Sequence, residues 1–265
     1  MLLVSANVNG IRAAVRRGGI EWLEAAAPDV VTLQEVRADD DQLRAALAGT
    51  TFEGWHVAHA PGEAKGRAGV AVLSRHEPVE VRTVLSEEFA DSGRWVESDV
   101  PVGDVVVTVA SAYVHTGEAR TPRQEEKQRF LRAVGDRLGE WSAQGRHAVL
   151  TGDLNIAHTV DDLKNWKGNQ GKSGFLPEEQ AHLDGWVDTH GFVDVHRVLH
   201  GAGPGPYTWW SWRGKAFDND SGWRIDYQIA SEPLARRAVR AEVGRAASYA
   251  ERWSDHAPVV VEYAF

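Results

Sequence analysis

The stretch Ala148-Val149-Leu150-Thr151-Gly152-Asp153-Leu154-Asn155 is an apolar run that stops on glycine, carboxylate, leucine and carboxamide. An ionised oxygen ligand beside a neutral amide that both donates and accepts is what a phosphate ester held with a hard cation needs. Residues two apart in extended backbone leave on one face, which places Asp153 and Asn155 on the same side. Asn7, Glu35, Asp226 and the pair Asp255-His256 stand in similar places, at the end of an apolar run or just before one, and Tyr113 closes another. Each has an ordinary alternative: Asp and Asn after a strand form turns, a terminal Glu is solvated, and a His beside a carboxylate is a structural pair. The recurrence of the pattern points to a site. The chain has no cysteine. Thiolate nucleophiles and cysteine zinc centres are therefore excluded, and hard oxygen donors favour magnesium, with manganese as substitute, over zinc. Phosphodiester hydrolysis suggests roles: Asp153 positions and deprotonates a water, and His256 donates to a phosphate oxygen while Asp226 favours its cationic form. Asn155 and Asn7 orient water, metal or phosphate, and Tyr113 assists at the phosphate or leaving group. The number of metal ions and the identity of the base stay open at this level.

Elements that would position these groups follow from the hydrophobic pattern. Apolar runs at 2–9, 30–35, 55–60 and 68–73 read as strands, several of them buried on both faces because they do not alternate. Residues 18–26 read as a helix with Ile20, Trp22 and Leu23 inward, ended by Pro28, and 39–48 as a short amphipathic helix. Residues 79–85, 94–100 and 105–113 look antiparallel, with a turn at 101–104. The clearest helix is 122–141, since Leu131, Val134, Leu138 and Trp141 lie 1, 4, 8 and 11 residues beyond Phe130. Residues 161–174 form a long polar loop in which lysine, asparagine and tryptophan alternate, a composition suited to binding. A helix from 177 to about 191, a strand through 222–229 and a last strand at 259–265 complete the chain. Alternating strands and helices, with an antiparallel insertion in each half, predict an α/β fold of two packed sheets flanked by helices, one domain over 1–265.

The motifs Asn7-Val8-Asn9-Gly10, Leu33-Gln34-Glu35, Tyr113 with Gly117, Gly152-Asp153-Leu154-Asn155, Trp223-Arg224-Ile225-Asp226-Tyr227 and Ser254-Asp255-His256-Ala257-Pro258 together resemble the exonuclease III family of apurinic/apyrimidinic endonucleases. The match runs from the first strand to the last, in the family's order. The resemblance implies a four-layer, DNase I-like α/β sandwich of two mixed sheets. It further implies a magnesium-dependent cut 5′ to an abasic site, removal of 3′ blocking groups and some 3′ to 5′ exonuclease activity. Glu35 then looks like the metal ligand, with Asn7 and Asp255 close to it and Asp153 and Asn155 completing the set. Asp153 and Asn155 also match the water-activating and phosphate-orienting residues, Asp226 and His256 the orienting acid and its histidine, and Tyr113 the active-site tyrosine. Trp209 and Trp223 match aromatic positions that pack around an abasic sugar and exclude a flipped normal nucleotide. Asn165 and Asn169 fall in a DNA-contacting loop. His115, Thr116 and Lys172 depart from the family's pattern, in loops that set DNA bending and the balance of activities.

The net charge of −9 argues at first against a polyanion partner, because sequence-independent affinity for phosphate comes from Lys and Arg. Carboxylates gathered around a cation, however, need not repel phosphate once it is bound. Lys65, Arg67, Arg94, Arg120, Arg123, Lys164, Lys167, Lys172, Arg213, Lys215 and Arg224 lie in or near loops that would flank the strand ends, and Trp210 is placed with them on the DNA side. The expected partner is duplex DNA with abasic sites or blocked 3′ ends. No segment suits a membrane, no coiled coil suggests more than a monomer, and the absence of cysteine fits a bacterial-type cytoplasm, at the nucleoid. The rival readings are a phosphoesterase of the same superfamily acting on RNA or phosphoinositide, and a binding module that has lost catalysis.

Overall fold

A computed structural model describes residues 1–265. Twelve strands form two six-stranded sheets. The first contains β1 (Leu2–Asn7), β2 (Val30–Gln34), β3 (His56–Ala60), β4 (Val70–Ser74), β11 (Ala238–Val243) and β12 (Val259–Tyr263), ordered β11-β12-β1-β2-β4-β3. The second contains β5 (Glu80–Arg82), β6 (Trp95–Val102), β7 (Val105–Tyr113), β8 (His147–Asp153), β9 (Phe192–Asp194) and β10 (Asp226–Ser231), ordered β5-β6-β7-β8-β10-β9.

Strand alternation explains why the apolar runs are continuous. On β1 and β2, Leu3 and Val30 join Val107, Val109 and Val149 in the core between the sheets. Their neighbours Val4 and Val31 face outward against Ile11, Ile20, Leu23 and Leu43 of the helices Ile11–Arg16, Gly19–Ala26 and Asp40–Leu47. On β8 the outward residues Ala148 and Leu150 pack under Phe130, Leu131, Val134, Leu138 and Trp141 of the helix Pro122–Ala143. Each central strand is thus covered twice, which gives helix, sheet, sheet, helix, as the sequence implied. Buried polar side chains tie the sheets together through hydrogen bonds. Gln34 Nε2 donates to Ser111 Oγ at 2.9 Å, and Thr151 Oγ1 to Thr32 Oγ1 at 2.7 Å.

Some boundaries differ from the sequence reading. The segment expected as a strand at 79–85 pairs only over Glu80–Arg82. The turn expected at 101–104 is only Gly103-Asp104, because Pro101 pairs with Val106 and Val102 with Val105. Pro101 is tolerated there because β5 reaches no further along β6 than Asp99, so a missing N–H costs no ladder bond on that edge. The helices Ile11–Arg16 and Val195–His200 and the strands β9 and β11 carried too little periodicity to be read; each is short, and β11 is a partly exposed edge.

The registers decide where the polar strand ends meet. β1 and β2 run parallel with Asn7 opposite Gln34, so Asn7 and Glu35 emerge at one end. β7 and β8 run parallel with Tyr113 opposite Asp153. β10 is antiparallel to β8 and begins with Asp226 opposite Asp153, while β12, antiparallel to β1, is entered through Asp255-His256 at the Asn7 end.

Candidate active site

At that end lies a cavity of about 300 Å³ lined by Glu35, Tyr113, Thr116, Asp153, Asn155, Ser173, Gly174, Trp209, Trp223, Ile225, Asp255 and His256. Glu35 follows β2 in a left-handed conformation (φ 49°), which turns its carboxylate out of the sheet. Asn7 Nδ2 donates to Glu35 Oε1 at 2.9 Å and to Asp153 Oδ2 at 3.0 Å, bridging the two acids. The Nδ1 of His256 lies 2.9 Å from Asp226 Oδ2, and its Nε2 lies 3.8 Å from Asp153 Oδ2. Asp226 is fixed from behind by the Thr208 hydroxyl, which donates to its Oδ2 at 2.6 Å. Glu35, Asp153 and His256 each bring one ligand atom to within 4.8 Å of the others, a group able to hold a metal ion.

Electrostatics separate the roles. Burial, with the neighbouring Asp226 and Glu35 charges, pushes the Asp153 carboxyl well above the usual carboxylate range, although His256 pulls the other way. Burial opposes charge on His256 as well, but the carboxylates of Asp226 and Asp153 outweigh it and raise the imidazole to about 10. Tyr113, pushed up by burial and by the charges of Glu35 and Asp153, stays a phenol and a donor.

Residues 4–256 match the Endonuclease/Exonuclease/phosphatase family. The chain belongs to that family. An exodeoxyribonuclease of Bacillus subtilis is 33% identical over 261 residues, covering 98% of each chain. Among solved structures, an AP endonuclease from Archaeoglobus fulgidus superposes with a TM-score of 0.86 at 28% identity over 99% of each chain. A 3′ phosphatase from Neisseria bound to a product DNA hairpin does so with 0.86 at 30% identity over the full length of both. Two mixed sheets flanked by helices are therefore this family member's fold, as the sequence implied. No helix is long and apolar enough to cross a membrane.

Of the residues expected at the site, Glu35, Tyr113, Asp153, Asn155, Trp209, Trp223, Asp255 and His256 line the cavity, and Asn7 and Asp226 sit buried behind it. Two expected metal ligands are engaged with neighbouring side chains and backbone, and the expectations for Trp210, Arg224 and Asn155 need correction. Asn7, expected among the metal ligands, presents its NH₂ to the carboxylates and its Oδ1 accepts from Asn9 N. Asp255, also expected among them, lines the cavity with its carboxylate accepting from Asn9 Nδ2 at 2.7 Å and from Trp209 Nε1 at 3.2 Å. Trp210, expected to face DNA, is 1% exposed among Tyr207, Phe217 and Ala257, because period-two alternation that turns Trp209 to the cavity turns its neighbour away. Arg224, expected in the basic rim, is buried between Asp162 and Asp194. Asn155 does not reach the cavity by extended alternation either; its φ of 51° breaks β8, and its Nδ2 donates to Val114 O at 3.0 Å.

Arg120, Lys164, Asn165, Lys167, Lys172, Arg213 and Lys215 are exposed, and Asn169 is half-buried. Arg94 is half-buried with its guanidinium 4.9 Å from the centre of the Tyr113 ring. Sequence reasoning missed Thr208, and also Arg37, whose guanidinium pairs with Glu35 Oε2. A positive charge two residues after a candidate ligand was the available signal for Arg37; nothing marked Thr208.

The shifts predict a pH dependence without divalent cation. His256 has a folded pKa raised above its ordinary 6.5, so its contribution to stability is complete below that value and is lost as pH rises through about 10. Asp153, also raised, slopes the same way. In EDTA the melting temperature should decline from about pH 6.5 to 10, and Asp226→Asn should flatten the decline by lowering the His256 pKa. A wild-type melting temperature that climbs over this range would contradict the assignment.

Proposed function

We propose that the chain is a magnesium-dependent DNA repair nuclease that hydrolyses the phosphodiester 5′ to an abasic site and removes 3′ blocking groups, with a 3′ to 5′ exonuclease component. One observation carries the reading: a single cavity joins cation-capable acids, an imidazolium and a phenol to an aromatic slot. In that slot Trp209 and Trp223 meet edge to face, ring centroids 6.5 Å apart at 80°, held by reciprocal backbone hydrogen bonds of 2.9 Å. Names of the relatives support it, since they include an exodeoxyribonuclease, an AP endonuclease and a 3′ phosphatase on DNA.

The residues divide the work. His256, kept cationic by Asp226, donates to a non-bridging phosphate oxygen and stabilises charge as the water attacks phosphorus. Asp153 orients that water and takes its proton, a task suited to a carboxyl whose proton affinity burial has raised. Tyr113 donates from its phenol at the phosphate, with the Arg94 guanidinium over its ring. As the bond to the 3′ oxygen of the upstream nucleotide breaks, that oxygen takes a proton from solvent water and leaves as a hydroxyl. The carboxylate oxygens of Glu35 and Asp153 would hold a magnesium ion, which when bound would neutralise phosphate charge. Trp209 and Trp223 fit a sugar without a base. Arg94, Arg120, Lys164, Asn165, Lys167, Asn169, Lys172, Arg213 and Lys215 would track the duplex backbone. The protein acts as a monomer, one catalytic unit over its whole length, at the nucleoid in the cytoplasm.

The test is incision of a duplex bearing one tetrahydrofuran abasic analogue, with magnesium or with EDTA, beside an undamaged duplex and one ending in a 3′ phosphate. Cutting 5′ to the analogue and release of the 3′ phosphate, both stopped by EDTA, are expected. No cutting with magnesium or manganese would overturn the reading and move the site to RNA or phosphoinositide substrates.

A further inference from the structure

Behind the cavity wall, three loops of the site converge on one buried ion pair that the chemistry above does not use. Lys127, on the helix Pro122–Ala143, is fully buried. Its ammonium lies 2.7 Å from Glu179 Oε1, 2.9 Å from the Asn155 carbonyl and 3.4 Å from the Thr116 carbonyl, which matches its three protons to three acceptors. Glu179, on the helix Pro177–Asp188, is equally buried. Its Oε1 also accepts from Gln124 Nε2 at 2.8 Å and Ser173 Oγ at 3.1 Å, and its Oε2 from the amides of Gly174 at 2.7 Å and Leu176 at 3.0 Å.

The fit around the pair is close. A Cβ on Gly117 would lie 2.4 Å from Gln124 Oε1 and 2.5 Å from Ser173 Oγ, so the loop after Tyr113 rests directly on this network. A Cβ on Gly174 would lie 3.2 Å from both the Asn155 carbonyl and the Trp223 ring. Thr116, Asn155, Ser173 and Gly174 all line the cavity, whereas Lys127 and Glu179 do not. An apolar pair of similar volume would spare the desolvation that offsets much of what a buried ion pair gains. It could not satisfy two carbonyls and two amides from three separate loops.

We infer that Lys127 and Glu179 are positioning residues: the pair fixes the mutual spacing of the loops 113–117, 153–157 and 173–176, and so the width of the slot in which the sugar and its phosphate are held. The inference rests on the nuclease reading for its substrate but not for its geometry.

Two measurements test it. Lys127→Met should lower kcat on the abasic duplex roughly a hundredfold, the size expected when reacting groups are displaced by about 1 Å. The Kd for DNA in EDTA should stay within about threefold, because the exposed basic residues are untouched. Lys127→Met/Glu179→Met, which leaves no unpaired buried charge, should melt above Lys127→Met while kcat stays low. Glu179→Gln, the mildest change, should fold and lose about tenfold in kcat. Independently of any substrate, the amides of Gly174 and Leu176 should exchange hydrogen at least about tenfold faster in the double variant than in wild type. Recovery of kcat together with stability in the double variant would make the pair structural and overturn the inference. So would unchanged kcat in a folded Glu179→Gln, or unchanged exchange at Gly174 and Leu176. A wild type that cuts no abasic duplex would sink the nuclease reading alone, and the exchange experiment would still decide this one.

Discussion

Asp153→Asn should lower kcat for incision at an abasic site by about 10⁴-fold, the upper range for loss of a positioned proton acceptor, without lowering the melting temperature in EDTA. The two halves of this expectation have one cause. Asp153 is 1% exposed, and a carboxylate there is disfavoured by burial and by the charges of Asp226 and Glu35. Asparagine keeps the shape and can still accept from Asn155 N, now 2.9 Å from Asp153 Oδ1; the Asn7 hydrogen bond to Oδ2 is lost, and removing a charge the fold stabilises poorly offsets that loss. Stability and activity therefore pull against each other at this position, as they do where a site holds a group in an unfavourable state for function. Single-turnover incision with saturating enzyme, beside thermal melts in EDTA, separates the effects. A rate loss under tenfold would remove Asp153 from the role of proton acceptor. A fall in melting temperature matching the fall in rate would mean that it acts through the fold.

How much of this was legible beforehand depends on what each residue's neighbours are. Asp153, Glu35 and Asp255-His256 could be read because each interrupts or precedes an apolar strand, and a strand buried on both faces leaves only its end for a charge. Their convergence is a matter of parallel pairing between β1 and β2 and between β7 and β8, which right-handed crossover connections favour and sequence order suggests. The identity of the partners was not legible. Thr208 sits 18 residues before Asp226, and Lys127 sits 52 residues before Glu179; neither pair shares a helix or strand, so no period relates its members. Trp210 and Arg224 were misread for the opposite reason. Composition places Trp and Arg readily at a nucleic-acid surface, but a guanidinium flanked by Asp162 and Asp194, or an indole donating to Asp220 at 3.0 Å, is equally at home inside. The charge balance follows the same rule. Of the eleven basic residues expected around the site, Arg224 alone is buried, so ten keep their charge at least partly exposed despite a net charge of −9.

Gly152→Ala should cost more than about 4 kcal/mol and lower the melting temperature by about 10 °C or more, the range reserved for strain with no escape. Gly152 ends the apolar run of β8 just where the polar groups begin. Its φ of 124° is a conformation closed to L side chains, and an added Cβ would lie 2.1 Å from the Ala112 carbonyl oxygen and 3.1 Å from Gln34 Cδ. Neither neighbour can yield cheaply. Ala112 is Gly152's partner across the β7–β8 ladder, and Gln34 is held by Ser5 and Ser111 between the sheets. Relief would have to come from shifting β8 at the point where it delivers Asp153, so any folded fraction should also be a poor catalyst. Gly145→Ala supplies the comparison: its φ is 62° and nothing lies within 4 Å of its Cβ, so it carries the cost of left-handed backbone without the collision. That control should lose only about 1 kcal/mol. If the two variants melt within a few degrees of each other, contact with Ala112 and Gln34 is not what fixes glycine at position 152; if Gly152→Ala alone collapses, the strand end that presents Asp153 is set by steric exclusion between the sheets.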